Sequence, residues 1–191
     1  MLETEVIRTD SDTFSTFLWH CTHESISTPM TEKTAITVGV ADMKVTNDPN
    51  ATLITYALGS CIGLVAYDPQ RQLGGLLHVQ LPESQAFGTQ GQEQPAKFAD
   101  TGVTLLVDTL VANGASKNRL VIAIFGGANM LKDEQVFQIG IRNIRATKKM
   151  LWQASLFIKH EDVGGTSNRT VSLDLETGRI RVKKDGTYVE Y

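Results

Sequence analysis

The stretch ATLITYALGS CIGLVAYDPQ RQLGGLLHV, residues 51–79, decides the fold class. From Pro49 to Tyr67 there are nineteen residues without a charge, long enough in principle for a membrane span. Thr52, Thr55, Gly59, Ser60 and Gly63 interrupt it, and no Lys or Arg cluster flanks it, so it reads as two buried strands, Leu53–Leu58 and Ile62–Tyr67. A third apolar piece of strand length, Leu73–Leu81, follows Asp68-Pro69-Gln70-Arg71, where proline presets the second position of a type I turn. The spacing predicts an antiparallel hairpin.

Toward the N-terminus, Ile36, Val38 and Val40 alternate as in a half-buried strand, ended by the turn signal Asn47-Asp48-Pro49-Asn50. Toward the C-terminus, residues 83–96 are rich in Gln, Gly, Ser and Pro and read as a surface loop. A helix is expected from about Ala96 to Asn113, with Val103, Leu106, Val107 and Leu110 on one face and Gly114 as its stop. Arg119–Phe125 reads as a strand entering Gly126-Gly127-Ala128. A second helix, about Gly140–Ala154, should turn Ile141, Ile144 and Leu151 inward and Arg145, Lys148 and Lys149 outward. Strands at 155–160, 169–175 and 179–184 complete the pattern, the last two joined at Glu176-Thr177-Gly178. Strands before, between and after two helices imply an α/β (α+β) layered domain with its sheet buried under helices.

Across 191 residues, 18 Lys and Arg stand against 21 Asp and Glu, a net charge of −3, which argues against a strongly basic nucleic-acid binder. Residues 1–35 differ from the rest: twelve Ser and Thr, six acids against Arg8 and Lys33, and little periodicity. They read as an acidic N-terminal extension, mobile or loosely docked, ahead of a domain spanning 36–191. No secretory signal pattern is visible in them, since Arg8 is the only basic residue among the first 30. Two cysteines, Cys21 and Cys61, form no disulfide framework and no CxxC pair, so reduced thiols and a cytoplasmic setting without membrane insertion are the expectation. His20-Cys21-Thr22-His23 holds three potential metal ligands, but it lies in this tail with no partner cluster and is not read as a zinc site. Gly126-Gly127-Ala128 and Gly164-Gly165 match neither GxGxxG nor a Walker motif and read as tight turns.

The hairpin carries the chemistry. With Pro69 and Gln70 central in the turn, paired positions sum to 139 and Cys61 falls opposite His78, thiol and imidazole on one face. A one-residue slip would separate them. Imidazole can take the thiol proton, and an ion pair so formed lowers the cysteine pKa until thiolate exists at neutral pH. Gly59-Ser60 gives the backbone freedom to turn N–H groups toward a developing oxyanion. Against this stands the ordinary fate of a free cysteine in an apolar run, an inert buried hydrophobe.

Thr55–Cys61, Tyr67-Asp68-Pro69 and His78–Pro82 together resemble the CheD family of chemoreceptor glutamine deamidases. Lys97–Asp100, Phe125–Met130, Ile139–Asn143 and Asp162–Gly165 also match that family, in its order, over about residues 36–184. The resemblance implies a cysteine hydrolase on a layered sandwich of mainly antiparallel sheet with two principal helices, similar in its site to deamidating toxin domains. It implies Cys61 as nucleophile, His78 as base and Thr55 as third member, with Gly59 and Ser60 shaping the site. A neutral hydroxyl orients an imidazole but stabilises imidazolium less than a carboxylate would, so Asp100 and Asn143 stay open as alternatives to Thr55.

The implied reaction is hydrolysis of particular glutamine amides on the cytoplasmic helices of methyl-accepting chemoreceptors, with no metal or organic cofactor required. Some members of the family also act on glutamyl methyl esters. An alternative implied by the same resemblance is an adaptor that binds a CheC-type phosphatase and works mainly by association. A third reading is a cysteine amidase with a small-molecule substrate, which would call for a deep closed pocket. Residues 142–184 carry ten basic and four acidic residues, which could steer the protein toward an acidic partner.

Overall fold

The computed structural model describes residues 33–85, 88, 93–129 and 138–191. Ten strands form two five-stranded sheets. In chain order they are β1 (Thr34–Thr37), β2 (Met43–Thr46), β3 (Ala51–Leu58), β4 (Ile62–Asp68) and β5 (Leu73–Val79), then β6 (Val121–Gly126), β7 (Ile158–Val163), β8 (Arg169–Asp174), β9 (Ile180–Lys184) and β10 (Thr187–Glu190). Helix α1 (Ala99–Ala112) lies between β5 and β6, and α2 (Ile139–Gln153) between β6 and β7. The first sheet runs β1-β3-β8-β9-β10 and the second β2-β5-β4-β6-β7. Pairing is antiparallel except for β1 with β3 and β6 with β7.

Alternation along β4 explains the uncharged run. Ile62, Leu64 and Ala66 join Val103, Leu106, Leu110 and Leu151 in a core between the second sheet and the helices. Val65 and Tyr67 turn the other way and meet Leu53, Val171, Leu173 and Val182 of the first sheet. The second sheet is therefore the middle of three layers, and every residue of β4 and β5 is buried. The first sheet buries one face only, and its strands keep the polar alternation of a half-exposed surface. The architecture is the layered α+β sandwich with two helices that was expected.

Several boundaries move. Pro95–Lys97 is a turn of 3₁₀ helix, and α1 proper starts at Ala99; its buried face is the predicted one, and Gly114 follows with φ +97°. In α2 the buried residues are Gly140, Asn143, Thr147 and Leu151, whereas Ile141 is exposed. Periodicity alone turns residue 141 inward, but the face is set by the close approach of Gly140 to the backbone of Gly127, where a Cβ would sit 2.5 Å from the Gly127 carbonyl oxygen. Pairing of β1 begins at Thr34, before the expected domain start at residue 36, and Lys33 pairs with Asp174. Strands β2 and β10 have no counterpart in the sequence reading, and the strand expected at 155–160 is β7, Ile158–Val163.

The hairpin register differs from the arithmetic. The type I turn forms, with Arg71 N–H donating to the Asp68 carbonyl, but the chain runs on through Arg71 and Gln72 (φ +46°) before pairing resumes, so the loop holds four residues instead of two. Asp68 consequently pairs with Leu73 and Gly63 with His78, so paired positions sum to 141.

Candidate active site

The shift is by two, and a period of two forgives it. Cys61 stands just before β4, two residues from the Gly63 that His78 faces, so thiol and imidazole share the inter-sheet face as diagonal neighbours. Gly63 puts no side chain on that face, and Leu58 packs into the space above it; a Cβ there would lie 2.7 Å from Leu58 Cδ1. His78 is 2% exposed, while Cys61 is partly exposed and packs on the edge of the inter-sheet core.

Thr55 reaches the pair from the other sheet. It is fully buried on β3, and its Oγ1 lies 2.7 Å from His78 Nδ1 and 2.8 Å from the Val38 carbonyl oxygen. A hydroxyl has one proton, and the carbonyl can only accept. Both contacts are hydrogen bonds only if Thr55 donates to Val38 and accepts from Nδ1–H. His78 thus carries its proton on Nδ1 and presents Nε2 as an acceptor, buried and without a hydrogen-bond partner among the described residues. The His78 backbone is held too: its N–H donates to the Asp42 carbonyl, and its carbonyl accepts from Ala41 N–H.

The strand that brings Thr55 bends before it reaches Cys61. The β3–β8 pairing jumps from Thr55↔Val171 to Leu58↔Arg169, and Ala57 has φ +55°. This bulge lets both Thr55 and Leu58 point inward while Tyr56 and Ala57 face out, and it turns the chain into Gly59-Ser60-Cys61. The three carbonyls of that loop are taken: Gly59 accepts from Ala128 N–H, Cys61 from Gly127 N–H (both 2.8 Å), and Ser60 from Asn143 Nδ2 (2.9 Å). Across a trans peptide the N–H points opposite to the carbonyl, so the amides of Ser60 and Cys61 face away from Ala128 and Asn143.

The tight approach requires Gly126. It has φ +104°, and a Cβ there would lie 2.2 Å from the Cys61 carbonyl oxygen. The Gly126-Gly127-Ala128 turn therefore braces the Gly59-Ser60-Cys61 loop, the amides of Gly127 and Ala128 already committed to its carbonyl oxygens.

Of the alternatives to Thr55, neither bonds His78. Asp100 accepts from Ser84 N–H and Oγ and holds the loop after Pro82. Asn143, fully buried on α2, donates from Nδ2 to both Ser60 O and Gln80 O (3.0 Å), and its Oδ1 is buried without a partner among the described residues. Sequence reading missed this tether, as it missed Gly63, Gly126 and the Val38 carbonyl. A glycine inside an apolar strand was the one available signal.

The electrostatics correct one expectation. Burial pushes the Cys61 thiol up from its usual 9.0 and the His78 imidazole down from 6.5, so the resting pair is thiol and neutral imidazole rather than thiolate and imidazolium. Among the described residues no group of three or more His, Cys, Asp or Glu could hold a metal, and no helix is long and apolar enough to cross a membrane. Cys21 and the His20–His23 cluster lie outside the described residues.

The profile of the CheD chemotactic sensory transduction family matches residues 80–184. A protein of Solibacter usitatus named probable chemoreceptor glutamine deamidase CheD is 46% identical over 155 residues, 81% of this chain and 92% of that one. Similar relatives so named occur in Syntrophus aciditrophicus, 41% identical over 79% of this chain and 94% of that one, and in Pyrococcus horikoshii, 40% identical over 81% and 96%. Among solved structures, a hypothetical protein YfiH of Bacillus licheniformis aligns with TM-score 0.38 and 16% identity over 63% of this chain and 49% of that one, too distant to define a common fold.

Proposed function

The chain belongs to the CheD family, and on that premise we propose that it hydrolyses glutamine side-chain amides of chemoreceptors to glutamate, using Cys61 as nucleophile, His78 as general base and Thr55 as the residue that orients it. The observation that carries the chemistry is the Thr55 hydroxyl held between the Val38 carbonyl and His78 Nδ1, which implies the Nδ1–H tautomer of His78. With Nδ1–H committed to Thr55, only Nε2 can take a proton, and it lies on the face shared with Cys61. An adaptor acting by association alone would have no use for a buried base prepared in this way.

The steps balance without a metal or organic cofactor. The thiol proton moves to Nε2 as Sγ attacks the amide carbon, and the N–H groups of Ser60 and Cys61 receive the oxyanion. The C–N bond breaks as Nε2 returns that proton to nitrogen, releasing ammonia and leaving a γ-glutamyl thioester. Water then adds to the thioester carbon, its proton passing through Nε2 to the departing Sγ, and glutamate is released. Because the resting pair is neutral, proton transfer accompanies attack. The site thus avoids holding a desolvated ion pair between turnovers.

The test is peptide mass spectrometry of soluble chemoreceptor cytoplasmic fragments after incubation with the protein and with Cys61→Ala. A gain of about one mass unit at defined glutamines, absent with the variant, is the expected result. Fragments left unchanged by both proteins would refute the reading.

A further inference from the structure

Pairing within the structure sorts the basic run at 142–184. Lys148 pairs with Glu161 (2.7 Å), Arg169 and Lys184 with Asp162 (2.6 and 3.2 Å), and Arg179 and Arg181 with Glu190 (3.2 and 2.7 Å). These cations are paired with acids of the same chain, most of them at the surface. Arg142, Arg145, Lys149, Lys159 and Lys183 have no acidic partner among the described residues; all five are exposed, Lys183 lies over the Tyr188 ring, and the first three share helix α2.

The spacing of Arg142, Arg145 and Lys149, i, i+3 and i+7, puts them on one face of α2 over about 10 Å of helix. With Pro82, Glu83 and Ala146 they line an open groove of about 200 Å³. Glu83 is the one acid in it, so the lining is net positive. The groove adjoins the catalytic loop. Arg142 precedes the Asn143 that holds Ser60 O and Gln80 O, and Pro82 lies four residues beyond His78.

A shallow trough suits the side of a polypeptide rather than an enclosed small molecule. Unpaired cations in a concavity focus positive potential there. We propose that this groove docks an acidic segment of the protein substrate, with carboxylates spread over about two helical turns, and so presents the neighbouring glutamine to Cys61. The proposal rests on the glutamine deamidase reading above.

The test compares the wild type with R142E/R145E/K149E and with R142Q/R145Q/K149Q on a soluble chemoreceptor cytoplasmic fragment. Ammonia release gives KM and kcat, and thermal melts verify folding. Charge reversal should raise KM about tenfold or more with kcat within about twofold, and the glutamine variant should fall between. Wild-type KM should rise as NaCl goes from about 50 to about 300 mM, and the reversed variant should lose that dependence. A KM within about twofold of wild type in both variants, with unchanged salt dependence, overturns the groove.

If the wild type releases no ammonia, the deamidase reading fails, and the groove is judged by fluorescence anisotropy of the labelled fragment titrated with Cys61→Ala protein. Binding lost on charge reversal sustains the groove, and equal binding overturns it. A reversed variant that does not fold leaves the glutamine variant to decide by the same criteria.

Discussion

A single hydroxyl at Thr55 holds the His78 imidazole. It cannot stabilise an imidazolium as a carboxylate would, but it selects the tautomer that leaves Nε2 bare. Thr55→Val keeps the shape and removes both hydrogen bonds. It should lower kcat about ten- to a hundredfold, less than Cys61→Ala, while Thr55→Ser should retain most of the activity; equal losses for Val and Ser would contradict the assignment. The pH dependence follows from the burial of His78. If the neutral imidazole is the base, as proposed, kcat/KM should rise with pH through a midpoint below 6.5 and then level off.

Stability moves in the same direction. Between the lowered folded value and 6.5 the unfolded chain binds the proton more readily, so the His78 contribution is complete above 6.5 and is lost as pH falls toward the folded value. Iodoacetamide alkylation of Cys61, followed against pH, should stay slow until above 9.0; fast labelling at neutral pH would reveal a resting thiolate.

At the scale of elements, the β4–β5 hairpin was legible, and its register was not. The turn signal at Asp68-Pro69-Gln70-Arg71 was read correctly, but the left-handed Gln72 belongs to a residue type that gives no warning of it. Cys61 and His78 survived the error because a slip of two residues keeps side chains on the same face. Strands β2 and β10 were missed for another reason: each has four residues, none fully buried, so neither shows a hydrophobic period.

Helix α2 was found, yet what it does for the site was not. Asn143 stitches it to the segments that follow Gly59 and His78, and Asn143→Ala strands the Ser60 and Gln80 carbonyls. The expected result is a fall in kcat of about tenfold or more with the fold retained, seen as lost activity beside a normal circular dichroism spectrum. Unchanged kcat would remove the tether from the mechanism.

Across the whole molecule, the layers are locked far from the site as well as near it. Asp68, fully buried at the other end of β4, accepts from Arg119 Nε (3.1 Å) and Nη2 (2.7 Å) and from the N–H groups of Ser116 (2.8 Å) and Gln70 (3.1 Å). Burial alone would raise its pKa; these bonds outweigh it, and the net shift is below the ordinary 3.8. Its stabilisation is present above 3.8 and lost as pH falls through the folded value. Because Arg119 remains a third exposed, Asp68→Asn should cost about 2–3 kcal/mol, less than breaking a fully enclosed pair. Urea titrations should show this loss at neutral pH and a shrinking difference below pH 3.8, with kcat unchanged since β4 separates Asp68 from Cys61.

The sequence by itself determined the layered α+β class, the helices, the central strands and the candidacy of Cys61 and His78. Each of these depends on local periodicity, turn chemistry or a motif, which the order of residues carries directly. Only the tertiary structure decided that Thr55 meets His78 across two sheets, that the resting pair is neutral, and which cations of the basic run are left unpaired. Those outcomes depend on which distant faces pack together, what each burial removes from water and which acid reaches which base first. No spacing along the chain encodes a distance between sheets.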